Sequence, residues 1–167
     1  MATKMVKAAP IGAEKATAVV EILQSRLTTY NDLHLTLKHV HWNVVGPNFI
    51  AVHEMIDPQV ELVRLAADAA AERMAAMGGS PKGTSDALVA GKDWPEYPLN
   101  RALVPDHLMA LDHVYDRVIG ENREAIEALD DLDLVTQDLI IGHTAELEQF
   151  QWFVRAHLES AAGNIPT

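Results

Sequence analysis

The chain of 167 residues contains no cysteine, and that absence closes three chemistries together. It excludes a disulfide framework, a thiolate site for zinc or an iron–sulfur cluster, and a cysteine nucleophile. Any metal bound here must be held by imidazole and carboxylate. Positive charge is also scarce: 13 Lys and Arg stand against 24 Asp and Glu, a formal charge of −11. Phosphate recognition wants a positive face, so the body of the chain suits cations better than polyanions. Long hydrophobic runs are missing too. Residues 1–12 carry Lys4 and Lys7 but no apolar stretch ahead of a small-residue cleavage site, so no secretory leader is read there. The uncharged stretch between Lys38 and Glu54 holds three His, two Asn, Gly46 and Pro47, and does not suit a bilayer span. The expectation is a cytoplasmic protein without a membrane partner.

What is present is enough to fold. At 49% hydrophobic the chain can bury a core, and its length suits one domain. From Ala13 to His41 the apolar residues Val19, Ile22, Leu23, Leu27, Tyr30 and Leu37 recur every three or four positions, which predicts a long amphipathic helix. The run Val44-Val45-Gly46-Pro47-Asn48 breaks it, and Asn48 is placed to cap a second helix that Gly78, Gly79 and Pro81 stop near Met77. Pro58 removes one backbone donor inside that helix and predicts a bend. Residues 80–100 contain three prolines and form a crossover, with room only for a short helix near Ser85–Ala90. A third helix is expected from Leu103 or Pro105 to Leu129, and a fourth from Leu134 to Ser160, capped by carboxylates of Asp130-Asp131-Leu132-Asp133. The sum is an all-α four-helix bundle over 13–161 with one long crossover, a tail at 1–12 and a short tail at 162–167.

The second helix carries the chemistry. At about 100° per residue, His53, Asp57, Asp68 and Glu72 fall near 0°, 40°, 60° and 100°, a stripe a quarter of the circumference wide. At about 1.5 Å rise per residue, Asp57 and Asp68 stand roughly 16 Å apart along the axis, so one helix cannot bring all four to one ion. They form two half-sites: His53 and Asp57, which His41 can join across the Gly46-Pro47 corner, and Asp68 with Glu72. Two copies packed antiparallel about a two-fold axis would make a His-rich half meet a carboxylate-rich half. An internal di-iron centre wants Glu three residues before His, and none of the eight histidines has one. His34 and His39 lack a carboxylate partner at useful spacing and are read as core-edge or surface residues, and His107, His113, His143 and His157 are read the same way.

The stretch Leu33–Pro81, with His41-Trp42-Asn43, Gly46, Asn48-Phe49, His53-Glu54-Met55, Asp57, Asp68 and Ala71-Glu72-Arg73, resembles the mini-ferritins of the Dps family, the DNA-binding proteins from starved cells, in their actinobacterial branch. Asp131-Leu132-Asp133-Leu134 and Phe150-Gln151-Trp152-Phe153 extend the likeness to the third and fourth helices. The resemblance implies a ferritin-like bundle assembled as a dodecameric hollow shell, a homo-oligomer with a ferroxidase centre at each two-fold contact. One subunit would supply His41, His53 and Asp57 and its neighbour Asp68 and Glu72, all five as catalytic and metal residues. It implies Fe(II) oxidation with hydrogen peroxide or dioxygen, storage of ferric mineral and protection against oxidative stress. Trp42 matches an aromatic near the centre that intercepts radicals, or packs at a helix end. Asp131 and Asp138 are candidates for a three-fold pore, and Lys4, Lys7 and Lys15 for a DNA-binding, nucleoid-associated tail.

Two other functions remain open on the residues. His53-Glu54-Met55-Ile56-Asp57 resembles a His-Glu-x-x-His zinc motif with Asp as second ligand, which would make Glu54 the base of a metal-dependent amidase. A nucleoid-compacting protein is the third class, with few tail lysines to support it.

Overall fold

The computed structural model describes residues 11–162, and side chains through 159. Four long helices make the bundle: α1 (Ala13–Asn43), α2 (Phe49–Ala76), α4 (Val104–Leu129) and α5 (Leu134–Ala162). The crossover between α2 and α4 carries the short α3 (Ser85–Gly91). Two residue pairs outside the sequence expectation form a small parallel ladder, β1 (Val44–Val45) with β2 (Ala102–Leu103), registering Val44 with Ala102. This ladder fastens the α1–α2 corner to the end of the crossover. Among the described residues no helix is long and apolar enough to cross a membrane.

The core follows the helical period. Val19, Leu23, Tyr30 and Leu37 of α1 meet Val52, Ile56 and Val63 of α2, Leu111, Tyr115 and Val118 of α4, and Ile140 and Val154 of α5, all with no exposed surface. Each such side chain contributes roughly 1.5–3 kcal/mol of burial. Polar groups set the register between helices. The Tyr115 hydroxyl donates to Gln59 Oε1 at 2.6 Å, tying α4 to α2. Asn122 Oδ1 accepts from Arg26 Nη1 (3.2 Å) and the Tyr30 hydroxyl (3.1 Å), while its Nδ2 donates to Thr144 Oγ1 (3.2 Å), joining α1, α4 and α5. A buried network of this kind is costly to leave half made, so it disfavours slipped packings.

The helix ends show where local expectation held and where packing decided. The α2 C-terminus closes as a Schellman motif on Gly78 (φ 85°), with Gly79 N–H donating to the Met74 carbonyl at 2.9 Å. Asp133 caps α5, its carboxylate accepting the Thr136 N–H at 3.1 Å. Asn48 differs: it stands at the expected boundary but in a left-handed conformation (φ 64°), and its side chain caps nothing. Position 46 must be glycine, since φ is 98° and a Cβ would come within 2.9 Å of Leu103 Cδ2. The ladder and this close approach dictate the corner, overriding Asn48's capping preference. α2 runs on through Pro58 as one helix to Ala76, and α1 extends two residues beyond His41.

Candidate metal centre

The end of α1 and the second turn of α2 bring His41, His53 and Asp57 together. The imidazoles of His41 and His53 stack with centroids 3.6 Å apart and planes 22° apart. Each ring then reaches the other's backbone: His41 Nδ1 lies 3.0 Å from the His53 carbonyl, and His53 Nδ1 lies 2.9 Å from the His41 carbonyl. A carbonyl only accepts, so both Nδ1 atoms carry the proton. In neutral imidazole the lone pair is then on Nε2, the atom a metal needs, and the carbonyls hold both rings in that tautomer. His41 is buried and His53 half-buried, so the clasp sits at the margin of the core.

Asp57 completes this half. Its Oδ1 lies 3.2 Å from His41 Nδ1 and 3.2 Å from the Lys38 ammonium. The hydrogen bond from Lys38, with the nearby imidazoles adding a smaller effect, holds the Asp57 carboxyl below the usual range. Lys38 is the residue that the sequence reading missed. It precedes His41 by three and Trp42 by four, so helix geometry puts all three on one face, and its ammonium lies 5.8 Å from the centroid of Trp42. Trp42 is 71% exposed in the single chain, so it does not pack at the helix end.

Asp68 and Glu72 lie further along α2, both exposed. Arg64 contributes an electrostatic neighbour to Asp68. Glu72 is fixed indirectly: the adjacent Arg73 donates to Asp133 at 2.6 Å and to Thr136 Oγ1 at 3.0 Å, anchoring this end of α2 to the start of α5. The single chain therefore joins three of the five predicted residues and leaves two apart. Among the described residues no group of three or more His, Asp or Glu converges on a metal position within one chain.

Large apolar side chains lie exposed along the same stripe. Taking His53 as 0°, Ile50 falls near 60° and Leu65 near 120° at about 100° per residue, amid Asp57, Asp68 and Glu72. Ile50 is 54% and Leu65 51% exposed. An exposed apolar band threaded with ligand-type residues is the signature of a surface meant for a partner.

The remaining candidates are dispersed. Asp131 and Asp138 are exposed at the α4–α5 corner and the first turns of α5. Lys15 belongs to the first turn of α1, and its ammonium donates to the Asp131 carbonyl, so it is a helix residue and not part of a tail. Lys4 and Lys7 lie outside the described residues. Of the other histidines, His143 is half-buried edge-on to Tyr30 with its pKa lowered by burial to about 4, and His107 is buried beneath Tyr97. His34 is half-buried and carries no carboxylate bond.

The sequence model of the ferritin-like domain matches residues 20–163. The chain is 64% identical over 152 residues to the DNA protection during starvation protein of Mycolicibacterium smegmatis, covering 91% of this chain and 83% of that one. It belongs to the Dps family. A solved structure of Mycobacterium smegmatis Dps superposes with a TM-score of 0.92 at 59% identity, covering 99% of both chains. DpsA14 from Streptomyces coelicolor gives 0.91 at 55% identity, covering 98% of both. The ferritin-like, all-helical fold of Dps is thus the fold of this chain, and its similarity lies on the actinobacterial side of the family.

Proposed function

We propose that this Dps-family chain is a ferroxidase and an iron store, with Fe(II) as substrate and its centre completed between two subunits. The observation that carries the reading is the exposed stripe of α2. One end presents two imidazoles with free Nε2 atoms beside Asp57, the other presents Asp68 and Glu72, and exposed Ile50 and Leu65 run along it. A two-fold contact that buries this stripe sets the His41, His53 and Asp57 half of one subunit against the Asp68 and Glu72 half of its partner. The dodecameric shell of the family supplies such contacts, and its cavity holds the ferric product in the cytoplasm.

The donor set fits the substrate. Carboxylates and imidazoles serve both Fe(II) and Fe(III), and few protein ligands per iron leave room for an oxidant. Two Fe(II) each give one electron to hydrogen peroxide, the O–O bond breaks, and with two protons two waters form, so no hydroxyl radical is released. Dioxygen is the alternative oxidant. Trp42, exposed beside His41, stands where a stray one-electron oxidant would be intercepted. Asp131 and Asp138, repeated about a three-fold axis, would focus a cation-attracting field at a pore.

Removing Fe(II) and peroxide together protects DNA without touching it, which suits a chain of charge −11 whose Lys15 is engaged on Asp131. The test is peroxide-driven Fe(II) oxidation followed by the absorbance of the ferric product, with light scattering to size the particle. The wild-type shell is expected to oxidise iron rapidly, and Asp68→Ala to lose that phase while staying assembled. Full activity in Asp68→Ala, or in a monomer, would contradict the reading.

A further inference from the structure

The α2 stripe has a centre of symmetry, and a charged pair sits on it. The midpoint of His53 and Glu72 falls between residues 62 and 63, and so does the midpoint of Asp57 and Asp68. A two-fold axis that sets one half-site against the other therefore crosses α2 at that point. Glu61 and Arg64 share the same midpoint. Taking His53 as 0°, Arg64 falls near 20° and Glu61 near 80°, about 30° either side of the middle of the stripe and nearer the facing line than His53 and Glu72 themselves. Within the chain the two form a bidentate pair, Arg64 Nε donating to Glu61 Oε2 at 3.0 Å and Nη2 to Oε1 at 2.6 Å, with both side chains more than half exposed. That pairing uses two of the five guanidinium donors and leaves lone pairs on the carboxylate.

We infer that Glu61 and Arg64 set the register of the two-fold contact: Glu61 of each subunit faces the partner's Arg64, and the four charges pair across the axis between the two iron centres. The inference rests on the shared centre proposed above. Antiparallel packing about this axis brings residue 61 of one α2 to the height of residue 64 of the other, and two long side chains span the lateral offset. Charge then selects the register. A slip of one turn sets Glu61 against the partner's Asp68 in one direction and against the partner's Val60 in the other, and Arg64 and Arg73 are the only Arg or Lys residues of α2. Of these three registers only the centred one gives both Glu61 and Arg64 an opposite charge. Burial of Ile50 and Leu65 favours contact but discriminates poorly between registers, whereas charges that match in one register alone fix partner and orientation. The same contact closes both iron centres at once.

Charge reversal tests it. Glu61→Arg and Arg64→Glu each put like charges together both within the chain and across the axis. Mixed, the two variants keep like charges within each chain but meet opposite charges across the contact, so rescue by mixing reports the pairing between subunits alone. Full-length shells are dissociated, reassembled and sized by light scattering on dilution. Each variant alone should come apart at a protein concentration at least about tenfold higher than wild type, and the equal mixture should regain the wild-type value. Helix content by circular dichroism should be unchanged, as both positions are exposed. A second arm needs no reversal of charge. In a chain without cysteine, Glu61→Cys subunits mixed with Arg64→Cys subunits should form a disulfide between chains under diamide, identified by mass. It should form at least about tenfold faster than in Glu61→Cys mixed with Asp68→Cys, which reports the slipped register. Variants that assemble like wild type, a mixture no more stable than its components, or cross-linking of 61 to 68 as fast as of 61 to 64 overturns the proposal. Iron oxidation restored between His41→Ala and Asp68→Ala subunits, with no rescue between the charge variants, removes this register and leaves the shared centre standing. Failure of both rescues removes the centre as well.

Discussion

The two halves of the α2 stripe are built in opposite ways. At the His41, His53 and Asp57 end, each ring is stacked on the other, bonded to a backbone carbonyl and flanked by a carboxylate that already holds a lysine. At the Asp68 and Glu72 end the carboxylates are exposed, and only the helix beneath them is tied down, through Arg73 and Asp133. The first half is preorganised within one chain and marginally buried there. The second is a pair of charges on a rigid rod, shaped for use by something else. Imidazole needs its tautomer fixed before it can ligate, while a carboxylate needs only to be aimed.

Substitutions separate the halves. His41→Ala should have the largest effect, cutting rapid Fe(II) oxidation by about 100-fold, on the order of 3 kcal/mol in barrier. It should also destabilise the fold by about 2 kcal/mol in denaturant titration, because a carbonyl and a stacked ring lose their partner. Asp68→Ala should cost as much activity but shift stability by less than about 0.5 kcal/mol, as exposed surface substitutions do. Equal stability costs would erase the distinction between the halves.

Asp133→Asn probes the rod. Burial raises the Asp133 carboxyl, and bonds from Thr136 and Arg73 more than reverse that, so its pKa stands below the usual range. A depressed carboxylate contributes stability that is full above its unfolded pKa and is lost as pH falls through the folded value. The variant should therefore be less stable by about 1–2 kcal/mol at neutral pH and show a flatter acid limb in pH-dependent unfolding. His143→Leu gives a contrasting profile. Burial lowers its pKa to about 4, so wild-type stability should fall between about pH 6.5 and 4 as the unfolded chain takes up the proton. The leucine variant should flatten that interval alone. The smallest effect is expected from Lys38→Ala, which frees Asp57 and should tighten Fe(II) loading a few-fold at low ionic strength, on the order of the 0.2–1 kcal/mol of an exposed pair. Unchanged loading would show that Lys38 does not compete for Asp57.

Much of this was legible in the sequence because helices translate spacing into geometry. The four long helices, the short one in the crossover and the stripe on α2 follow from period, glycine and proline. His41 joining His53 across Gly46-Pro47 was readable as proximity, but not as the reciprocal clasp, which depends on backbone carbonyls that carry no sequence signal. The β1–β2 ladder was invisible, since two residues of strand have no period to detect. Lys38 could have been found from its i,i+3 and i,i+4 spacing to His41 and Trp42. Asn48 misled because capping preference is a local tendency, and the Leu103 contact at Gly46 fixes that corner from a distance of more than fifty residues.

The central claim is that each centre takes one half from each of two subunits, and mixing tests it most directly. His41→Ala and Asp68→Ala subunits, each nearly inactive alone, are dissociated, combined in equal amounts, reassembled and assayed for peroxide-driven Fe(II) oxidation. In a mixed pair one centre receives both intact halves and the other both defects, so random pairing restores about a quarter of the wild-type activity. A mixture no more active than its separate components, with mixed assembly verified by mass, would contradict the account.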